Sequence, residues 1–267
     1  MLSEIVVAGF PKCGTTALME KLDTDPEISV LRSDSGLLEV AWPQIKLMPK
    51  DLGESRVIAH KYVSYIFNKE ALAYLAASNP DSTIVLCVRD PVKALFSWWT
   101  MHRSIARSGK NPTHFAYLDR DFYANCSIDE YFERFAKKRL RYHLYFRRLL
   151  AAVSAERVIV VSQERMAQDI QSVAGYVKAV AVSDANASSK PVKIGPAYKS
   201  ATDGIDVPLD PTTRKHLKSV WRRLLREIGS SGAKSCLLAN QRFVEKPAGV
   251  NKIKRPKQPK RAEAKRG

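Results

Sequence analysis

The chain is 267 residues long, which is enough for one large domain with a sizeable core. Lysine and arginine outnumber aspartate and glutamate by 44 to 27, so the formal net charge is +17. No run of about 18 or more apolar residues occurs, which argues against a membrane-spanning helix. The four cysteines lack metal-ligand spacing, and they predict reduced thiols in a reducing compartment.

Apolar, β-branched runs alternate along the chain with helix-like stretches, which predicts an α/β fold with a parallel sheet. The predicted strands are Ile5–Ala8, Arg56–His60, Thr83–Val88 and Arg157–Val161. The predicted helices are Thr15–Leu22, Asn68–Ala77, Pro91–Ile105, Ile128–Val153 and Pro211–Ile228. Residues 1–245 are assigned to this domain, and residues 246–267 form a basic tail.

The loop after the first strand has the composition of a phosphate site. N–H groups at a helix N-terminus lack intrahelical partners, and they attract anions. Gly14 admits close approach of the backbone, and Lys12 supplies a full charge. Thr15 and Thr16 are predicted to cap the helix and to donate hydroxyls to a phosphate. The predicted phosphate-binding residues are Pro11, Lys12, Cys13, Gly14, Thr15, Thr16 and Ala17.

This loop differs from the Walker A motif of nucleoside triphosphatases at a decisive position. Gly9 and Gly14 have the Walker A spacing, but Thr15 stands where that motif has its lysine. The lysine has moved to position 12, inside the loop. Its proximity, together with the helix N-terminus, predicts a lowered pKa for the thiol of Cys13.

A second candidate phosphate site follows the strand Thr83–Val88. Arg89 stands at the carboxyl end of this strand, and Pro91 suits the first turn of the next helix. Ser97 lies about two turns into that helix. A guanidinium and a hydroxyl are well suited to a phosphate dianion.

Together the two motifs resemble sulfotransferases that use 3′-phosphoadenosine 5′-phosphosulfate (PAPS). Residues 11–16 are similar to their 5′-phosphosulfate loop, while Arg89 and Ser97 match the pair that binds the 3′-phosphate. Residues 24–28, 142–145 and 157–164 resemble further family segments. The resemblance implies a three-layer, P-loop-like sandwich with a central parallel sheet flanked by helices. It also implies adenosine 3′,5′-bisphosphate as a product, and no metal.

The resemblance implies in-line transfer of a sulfuryl group to an acceptor hydroxyl or amine. Lys12 is expected to stabilise the oxygen between sulfur and the departing 5′-phosphate. A base must take the acceptor's proton. Asp34 and Glu39 fall where glycosaminoglycan sulfotransferases carry theirs, and His60 resembles the strand-end base of cytosolic aryl and steroid sulfotransferases. Asp34 and Glu39 rank level, ahead of His60, and Lys61 resembles a lysine near the reacting centre.

The tail from residue 246 to 267 holds nine lysine or arginine residues and one acid, Glu263. Its lack of apolar residues predicts disorder. It is expected to bind an anionic polymer or a membrane surface, or to serve as a solubilising element. The expected acceptor is a glycan, a glycolipid or a small molecule. The chain shows no N-terminal anchor like that of animal Golgi sulfotransferases, which predicts a cytoplasmic, bacterial-type enzyme.

Two other functions compete with sulfuryl transfer as interpretations of these motifs and this charge. A P-loop nucleotide kinase or NTPase needs the Walker A lysine and a carboxylate-ended strand, and Thr15 and Arg89 fit those positions poorly. A basic nucleic-acid-binding protein is favoured only by the net charge and the tail. Neither feature explains two phosphate motifs that each follow a strand.

Overall fold

The computed structural model describes residues 3–33, 36, 39–40, 57–77, 82–108, 119–182 and 208–237. Asp34, one of the predicted bases, lies outside the described residues. The predicted basic tail and its boundary at residue 245 lie outside them as well.

A parallel sheet runs through the centre of the described structure. Its strands are β1 (Ser3–Gly9), β2 (Ile28–Val30), β3 (Val57–Lys61), β4 (Thr83–Val88), β5 (Val158–Ser162) and β6 (Lys234–Cys236). They are arranged in the order β2-β3-β1-β4-β5-β6, and every neighbouring pair is parallel. β4 and β5 are buried along their whole length, as expected for strands covered on both faces.

Helices cover the sheet in two groups. They are α1 (Thr15–Leu22), α2 (Lys69–Ala77), α3 (Pro91–Arg107), α4 (Arg120–Asn125), α5 (Ile128–Tyr131), α6 (Lys137–Arg139), α7 (Tyr142–Ala152), α8 (Gln163–Gln168), α9 (Ile170–Val182) and α10 (Pro211–Ser231). α1 packs against α9, which contacts β1 and β4. α7 packs against α2 and α10, and α10 also contacts α3. This architecture confirms the three-layer α/β prediction.

The two longest helices begin at the same kind of local sequence. Asp90 accepts hydrogen bonds from the N–H groups of Val92 and Lys93, at 2.8 and 3.3 Å, ahead of α3. Asp210 caps α10 in the same way, and a proline follows each aspartate. Side-chain caps of this kind stabilise a helix by about 1 kcal/mol. The Asp-Pro pairs therefore explain why both helix starts were predictable.

The prediction of one continuous helix from Ile128 to Val153 is wrong. A π-helical segment, Phe132–Ala136, separates α5 from α6, and the chain leaves the helix again at Leu140. Leu140 and Tyr142 are both buried. Residues two positions apart point to nearly opposite sides of a straight helix. The interruption lets both side chains reach the core.

The remaining differences are at strand ends and sheet edges. Lys61 belongs to β3, and Arg157 lies in a 3-10 turn before β5 rather than in the strand. The edge strands β2 and β6 contain three residues each, which is too short for an alternating pattern to be recognised. In the part of the chain that the structure describes, no helix combines the length and apolarity needed to cross a membrane.

Candidate functional site

The predicted phosphate loop connects β1 to α1 at the carboxyl end of the sheet. Gly14 is the N-cap of α1, with a left-handed φ of 83°, and Lys12 has a left-handed φ of 65°. The prediction that the threonines cap the helix is wrong, because Thr15 is already its first residue. No side chain caps α1, so the amides of its first turn are available to an anion.

Gly14 is needed for its left-handed conformation, and side chains of α8 lie close to it. A Cβ atom built there would lie 2.8 Å from Cε of Met166 and 3.0 Å from Cγ of Gln163. Gly9 is similarly confined, since its Cβ would lie 2.7 Å from the carbonyl oxygen of Cys87. The loop is therefore held closely between β4 and the start of α8.

Cys13 is fully buried inside the loop. Its Sγ donates to the carbonyl of Pro11 at 3.7 Å and lies 3.9 Å from the hydroxyl of Tyr142. Burial raises the pKa of the thiol, so the predicted lowering is wrong. Desolvation outweighs the nearby positive charges. A protonated thiol is a poor nucleophile, and the Cys13 side chain serves to anchor the loop.

Arg89 braces the loop from the end of β4. Its Nη1 donates to the carbonyl oxygen of Lys12 at 3.2 Å, and the residue is only 7% exposed. Its Nε is buried and has no hydrogen-bond partner within the described ranges. A buried guanidinium nitrogen without a partner is costly in the absence of a ligand. This geometry fits an anion bound next to the loop.

The side chain of Lys12 extends toward α3. Its Nζ lies 3.7 Å from Sδ of Met101, and desolvation, followed by repulsion from Arg89, lowers the pKa of the amine. Ser97 is half-buried and precedes Met101 by one helical turn. Residues four apart share a helix face, so Ser97 lies on the side of α3 that faces the loop. Lys12 thus contacts both Arg89 and α3, and Ser97 shares the α3 face of Met101.

On the other side of the loop, a buried amine connects three predicted residues. Lys61 Nζ donates to Oγ1 of Thr16 at 2.9 Å and lies 3.5 Å from Oε2 of Glu39. The other oxygen of Glu39 accepts from the N–H of Val63 at 3.0 Å. Lys61 is 3% exposed, whereas the Glu39 side chain is 39% exposed. The carboxylate is thus held beside the loop but remains accessible from solvent.

His60 does not join this group. Its Nε2 lies 2.9 Å from Oε1 of Glu4, and its Nδ1 lies 3.2 Å from the hydroxyl of Tyr65. Successive side chains of a strand point to opposite faces of the sheet. Lys61 points to the face on which it contacts Thr16, and His60 therefore points to the other face. Both ring nitrogens of His60 are engaged in the core.

Sequence reasoning missed the contribution of β5 and α8. Oε1 of the buried Glu164 accepts from the N–H of Asp90 at 3.1 Å, which fixes the turn that carries Arg89. Tyr142 stacks on Phe10 with ring centroids 3.9 Å apart, behind the loop. Ligands of open parallel sheets bind at the carboxyl ends of the strands. The position of Glu164 just after a buried strand is the feature that would have identified it.

Taken together, the site places cations and N–H donors at the carboxyl ends of β1, β3 and β4. Such an arrangement binds phosphate or sulfate groups and stabilises negative charge during group transfer. Among the described residues, no group of three histidine, cysteine or acidic side chains is arranged to hold a metal ion. The prediction that no metal is required stays a prediction.

Comparisons with known proteins point to one family. A family model described as a sulfotransferase domain matches residues 2–180. The chain is 30% identical over 105 residues to heparan sulfate glucosamine 3-O-sulfotransferase 3A1 of Mus musculus and to 3B1 of Homo sapiens. Each match covers 37% of this chain and 26% of the relative, so the chain spans about a quarter of the length of these relatives.

A solved structure supports the fold independently. The sulfotransferase from Alicyclobacillus acidocaldarius superposes with a TM-score of 0.55 at 17% identity, covering 86% of this chain and 96% of that one. The family model covers more than half of the chain, including the loop at Lys12 and the pair Arg89 and Ser97. The chain therefore belongs to the sulfotransferase domain family.

Proposed function

We propose that this protein transfers a sulfuryl group from PAPS to an acceptor, releasing adenosine 3′,5′-bisphosphate. The observation that carries the proposal is the convergence of an uncapped helix N-terminus with Lys12 and the buried, partly unpartnered guanidinium of Arg89. These groups suit a ligand with two separate phosphate groups. The loop lacks the Walker A lysine that a nucleoside triphosphate would require.

Each phosphate of the donor has its own candidate partners. The amides of Gly14 to Ala17 and the hydroxyls of Thr15 and Thr16 bind the 5′-phosphate in this proposal. Arg89 and Ser97 bind the 3′-phosphate. Bound PAPS would supply the activated sulfuryl group.

Lys12 is the candidate for stabilising the leaving group. Its positive charge lies next to the loop and beside Arg89, where negative charge develops on the leaving oxygen in this proposal. Lys61 approaches from the opposite side through Thr16, and it is the candidate for holding the sulfuryl oxygens. Two lysines on opposite sides of the loop provide the charge stabilisation that such a transfer requires.

Glu39 is the candidate base. Its carboxylate lies next to Lys61, which contacts the loop, and remains open to solvent and so to an acceptor hydroxyl. A base must lie within hydrogen-bond reach of the proton that it removes. His60 has both nitrogens engaged elsewhere, and Asp34 remains an alternative from the sequence. We therefore assign the proton transfer to Glu39.

We propose a glycan or glycolipid hydroxyl as the acceptor. The similarity to proteins named heparan sulfate glucosamine 3-O-sulfotransferases favours a sugar hydroxyl. A cytoplasmic location, also part of this proposal, is supported by the free, buried thiols of Cys13, Cys87 and Cys126. Binding of an anionic polymer by the basic tail remains a prediction.

Ligand binding and transfer assays test this function. Calorimetry should detect binding of adenosine 3′,5′-bisphosphate and much weaker binding of ATP. Radiolabelled PAPS should transfer sulfate to a member of a panel of glycans, glycolipids, phenols and peptides. Tighter binding of ATP would instead favour a kinase. Binding of nucleic acid without binding of the bisphosphate would favour the nucleic-acid function.

A further inference from the structure

The contact between the phosphate loop and α3 contains a reactive sulfur atom that the proposed transfer does not use. Lys12 Nζ lies 3.7 Å from Sδ of Met101. Lys12 is exposed and Met101 is half-buried, so the contact lies at the protein surface. A thioether sulfur is a weak hydrogen-bond acceptor and holds the amine only loosely. The amine can therefore move from Met101 to a bound donor at little cost.

Exposure distinguishes Met101 from the other methionines in the described ranges. Met19 of α1 is fully buried, and Met166 of α8 is only 4% exposed. Met101 is the one methionine of these three that solvent reaches. Dissolved oxidants attack thioethers that are accessible to solvent. We therefore expect Met101 to be oxidised before Met19 and Met166.

The thiols next to the loop compete poorly for an oxidant. Cys13 and Cys87 are both fully buried. Burial raises the pKa of both thiols, and it raises that of Cys87 to about 12. Because the thiolate is the form that oxidants attack, both cysteines should react slowly in the folded protein.

Oxidation would convert the sulfur of Met101 into a strong hydrogen-bond acceptor. The oxygen of a sulfoxide carries the negative end of a polar S–O bond. Lys12 Nζ is 3.7 Å from the sulfur, so an oxygen bonded to that sulfur comes within hydrogen-bond distance of the amine. Hydrogen bonds from a charged donor are roughly twice as strong as neutral ones. The sulfoxide would thus hold the amine of Lys12 on α3.

The surroundings of Met101 allow this change without unfolding the domain. Met101 packs at the margin of the core, whereas its neighbours on α3, Trp98 and His102, are buried. An added polar oxygen can point toward solvent and Lys12 and does not have to enter the core. Oxidation should therefore affect the loop contact more than the stability of the fold.

We infer that Met101 is a redox modification site, at which a peroxide forms a sulfoxide that captures Lys12 and slows sulfuryl transfer. This rests on the proposed function, in which Lys12 acts on the leaving group. The sulfur lone pair attacks one peroxide oxygen, the O–O bond breaks and an S–O bond forms. The departing hydroxide takes the proton of the transferred oxygen and leaves as water. The sulfur loses two electrons, which the peroxide gains.

The modification is chemically reversible. A thiol-dependent methionine sulfoxide reductase removes the oxygen as water, while two thiols are oxidised to a disulfide. Inhibition by oxidation of Met101 would therefore be relieved by such a reductase. Irreversible damage elsewhere in the protein would persist.

The test uses the full-length protein before and after treatment with hydrogen peroxide. Peptide mass spectrometry measures the oxidation of the three methionines and the rate at which an amine-reactive acetylating reagent modifies Lys12, with Lys21 as the internal reference. Turnover is measured at saturating PAPS. Met101→Leu removes the sulfur, and Met19→Leu is the matched control that retains Met101. Met101→Gln places an amide oxygen near the position of the sulfoxide oxygen.

Peroxide should oxidise Met101 selectively in wild type and in Met19→Leu. In both proteins the acetylation of Lys12 should then slow by about threefold or more, while that of Lys21 stays constant. Their kcat should fall by roughly tenfold and recover after treatment with the reductase. Met101→Leu should show the same acetylation rate and the same kcat before and after peroxide. Untreated Met101→Gln should be acetylated at Lys12 more slowly than untreated Met101→Leu.

Three results would overturn the inference. They are equal oxidation of all three methionines in the native protein, an unchanged acetylation rate of Lys12 when Met101 is fully oxidised, and an equal loss of kcat in Met101→Leu. The oxidation and acetylation measurements need no sulfate transfer. Failure of the proposed function would instead appear as absent binding of adenosine 3′,5′-bisphosphate to the untreated protein.

Discussion

Lys61 Nζ lies 2.9 Å from Oγ1 of Thr16 and connects the phosphate loop to the carboxylate of Glu39, 3.5 Å away. The lysine is almost completely buried, so its charge is stabilised mainly by these partners. Lys61 places a buried cation next to the phosphate loop, and Glu39 places a solvent-accessible carboxylate next to that cation.

Glu39→Gln should reduce kcat by about a hundredfold or more, because the amide of glutamine cannot remove the proton from the hydroxyl that receives the sulfuryl group. The affinity for adenosine 3′,5′-bisphosphate should be unchanged. Steady-state kinetics and calorimetry provide the two measurements, and Glu27→Gln, an exposed carboxylate paired with Lys178, is the control. Unchanged kcat in Glu39→Gln, with a large loss in Asp34→Asn, would transfer the role to Asp34.

Lys12→Asn should reduce kcat by about a hundredfold or more, since the positive charge proposed to stabilise the leaving group is removed. Asparagine tolerates the left-handed φ of 65° at this position, so the backbone of the loop is preserved. Turnover at saturating PAPS is the measurement, with Lys21→Asn as control. Turnover like that of wild type would show that Lys12 does not act on the leaving group.

Arg89→Ala and Ser97→Ala should each weaken discrimination between adenosine 3′,5′-bisphosphate and adenosine 5′-phosphate. The expected loss for Arg89→Ala is roughly tenfold to a hundredfold, because a charge-assisted contact is removed. Arg89→Lys keeps the charge but not the Nε donor, and it should recover only part of the discrimination. Calorimetry with both nucleotides tests this, and unchanged ratios would mean that the 3′-phosphate binds elsewhere.

The Cys13 thiol should resist alkylation in the native protein. Its pKa is raised by burial, so the folded state keeps the thiol protonated at a pH where the unfolded thiol, with a pKa near ~8.5, ionises. The unfolded state then binds fewer protons than the folded state, so the contribution of Cys13 to the free energy of unfolding falls as pH rises above the pKa of the unfolded thiol. Mass spectrometry after iodoacetamide treatment, with and without denaturant, measures the protection. Modification at equal rates would contradict the burial of this thiol.

His102 should make the fold sensitive to mild acid. Its folded pKa of about 4 lies below the ordinary value of 6.5, so the unfolded state binds a proton first as pH falls. The stability due to neutral His102 is therefore present above pH ~6.5 and is lost progressively down to pH ~4. Chemical unfolding at several pH values should show a flatter pH dependence for His102→Gln than for wild type. Parallel curves would contradict the lowered pKa.

The local sequence determined the parts of this protein that are formed by neighbouring residues. The bounds of α1 and β4, the Asp-Pro start of α3, and the positions of Lys12, Arg89 and Ser97 follow from strand–loop–helix patterns. Capping, glycine conformation and hydrophobic periodicity act over a few residues. The sulfotransferase resemblance could be recognised for the same reason, since both of its main motifs are short and continuous.

Only the tertiary structure decided which residues meet across strands. Glu39 reaches Lys61, and Lys61 reaches Thr16, because β3 lies parallel beside β1 with Val7 opposite Lys61. A shift of one residue would have exchanged Lys61 with His60, since strand side chains alternate between faces. The raised pKa of Cys13 likewise depends on the complete burial of its thiol in the folded protein.

Tertiary packing also explains why the single helix predicted from Ile128 to Val153 is wrong. No proline or glycine marks the interruption between α6 and α7, and the sequence from Ile128 to Val153 has a strong helix start. The chain departs from the helix because Leu140 and Tyr142 must both be buried against the rest of the fold. Packing against distant elements, rather than local propensity, decided that the helix is broken there.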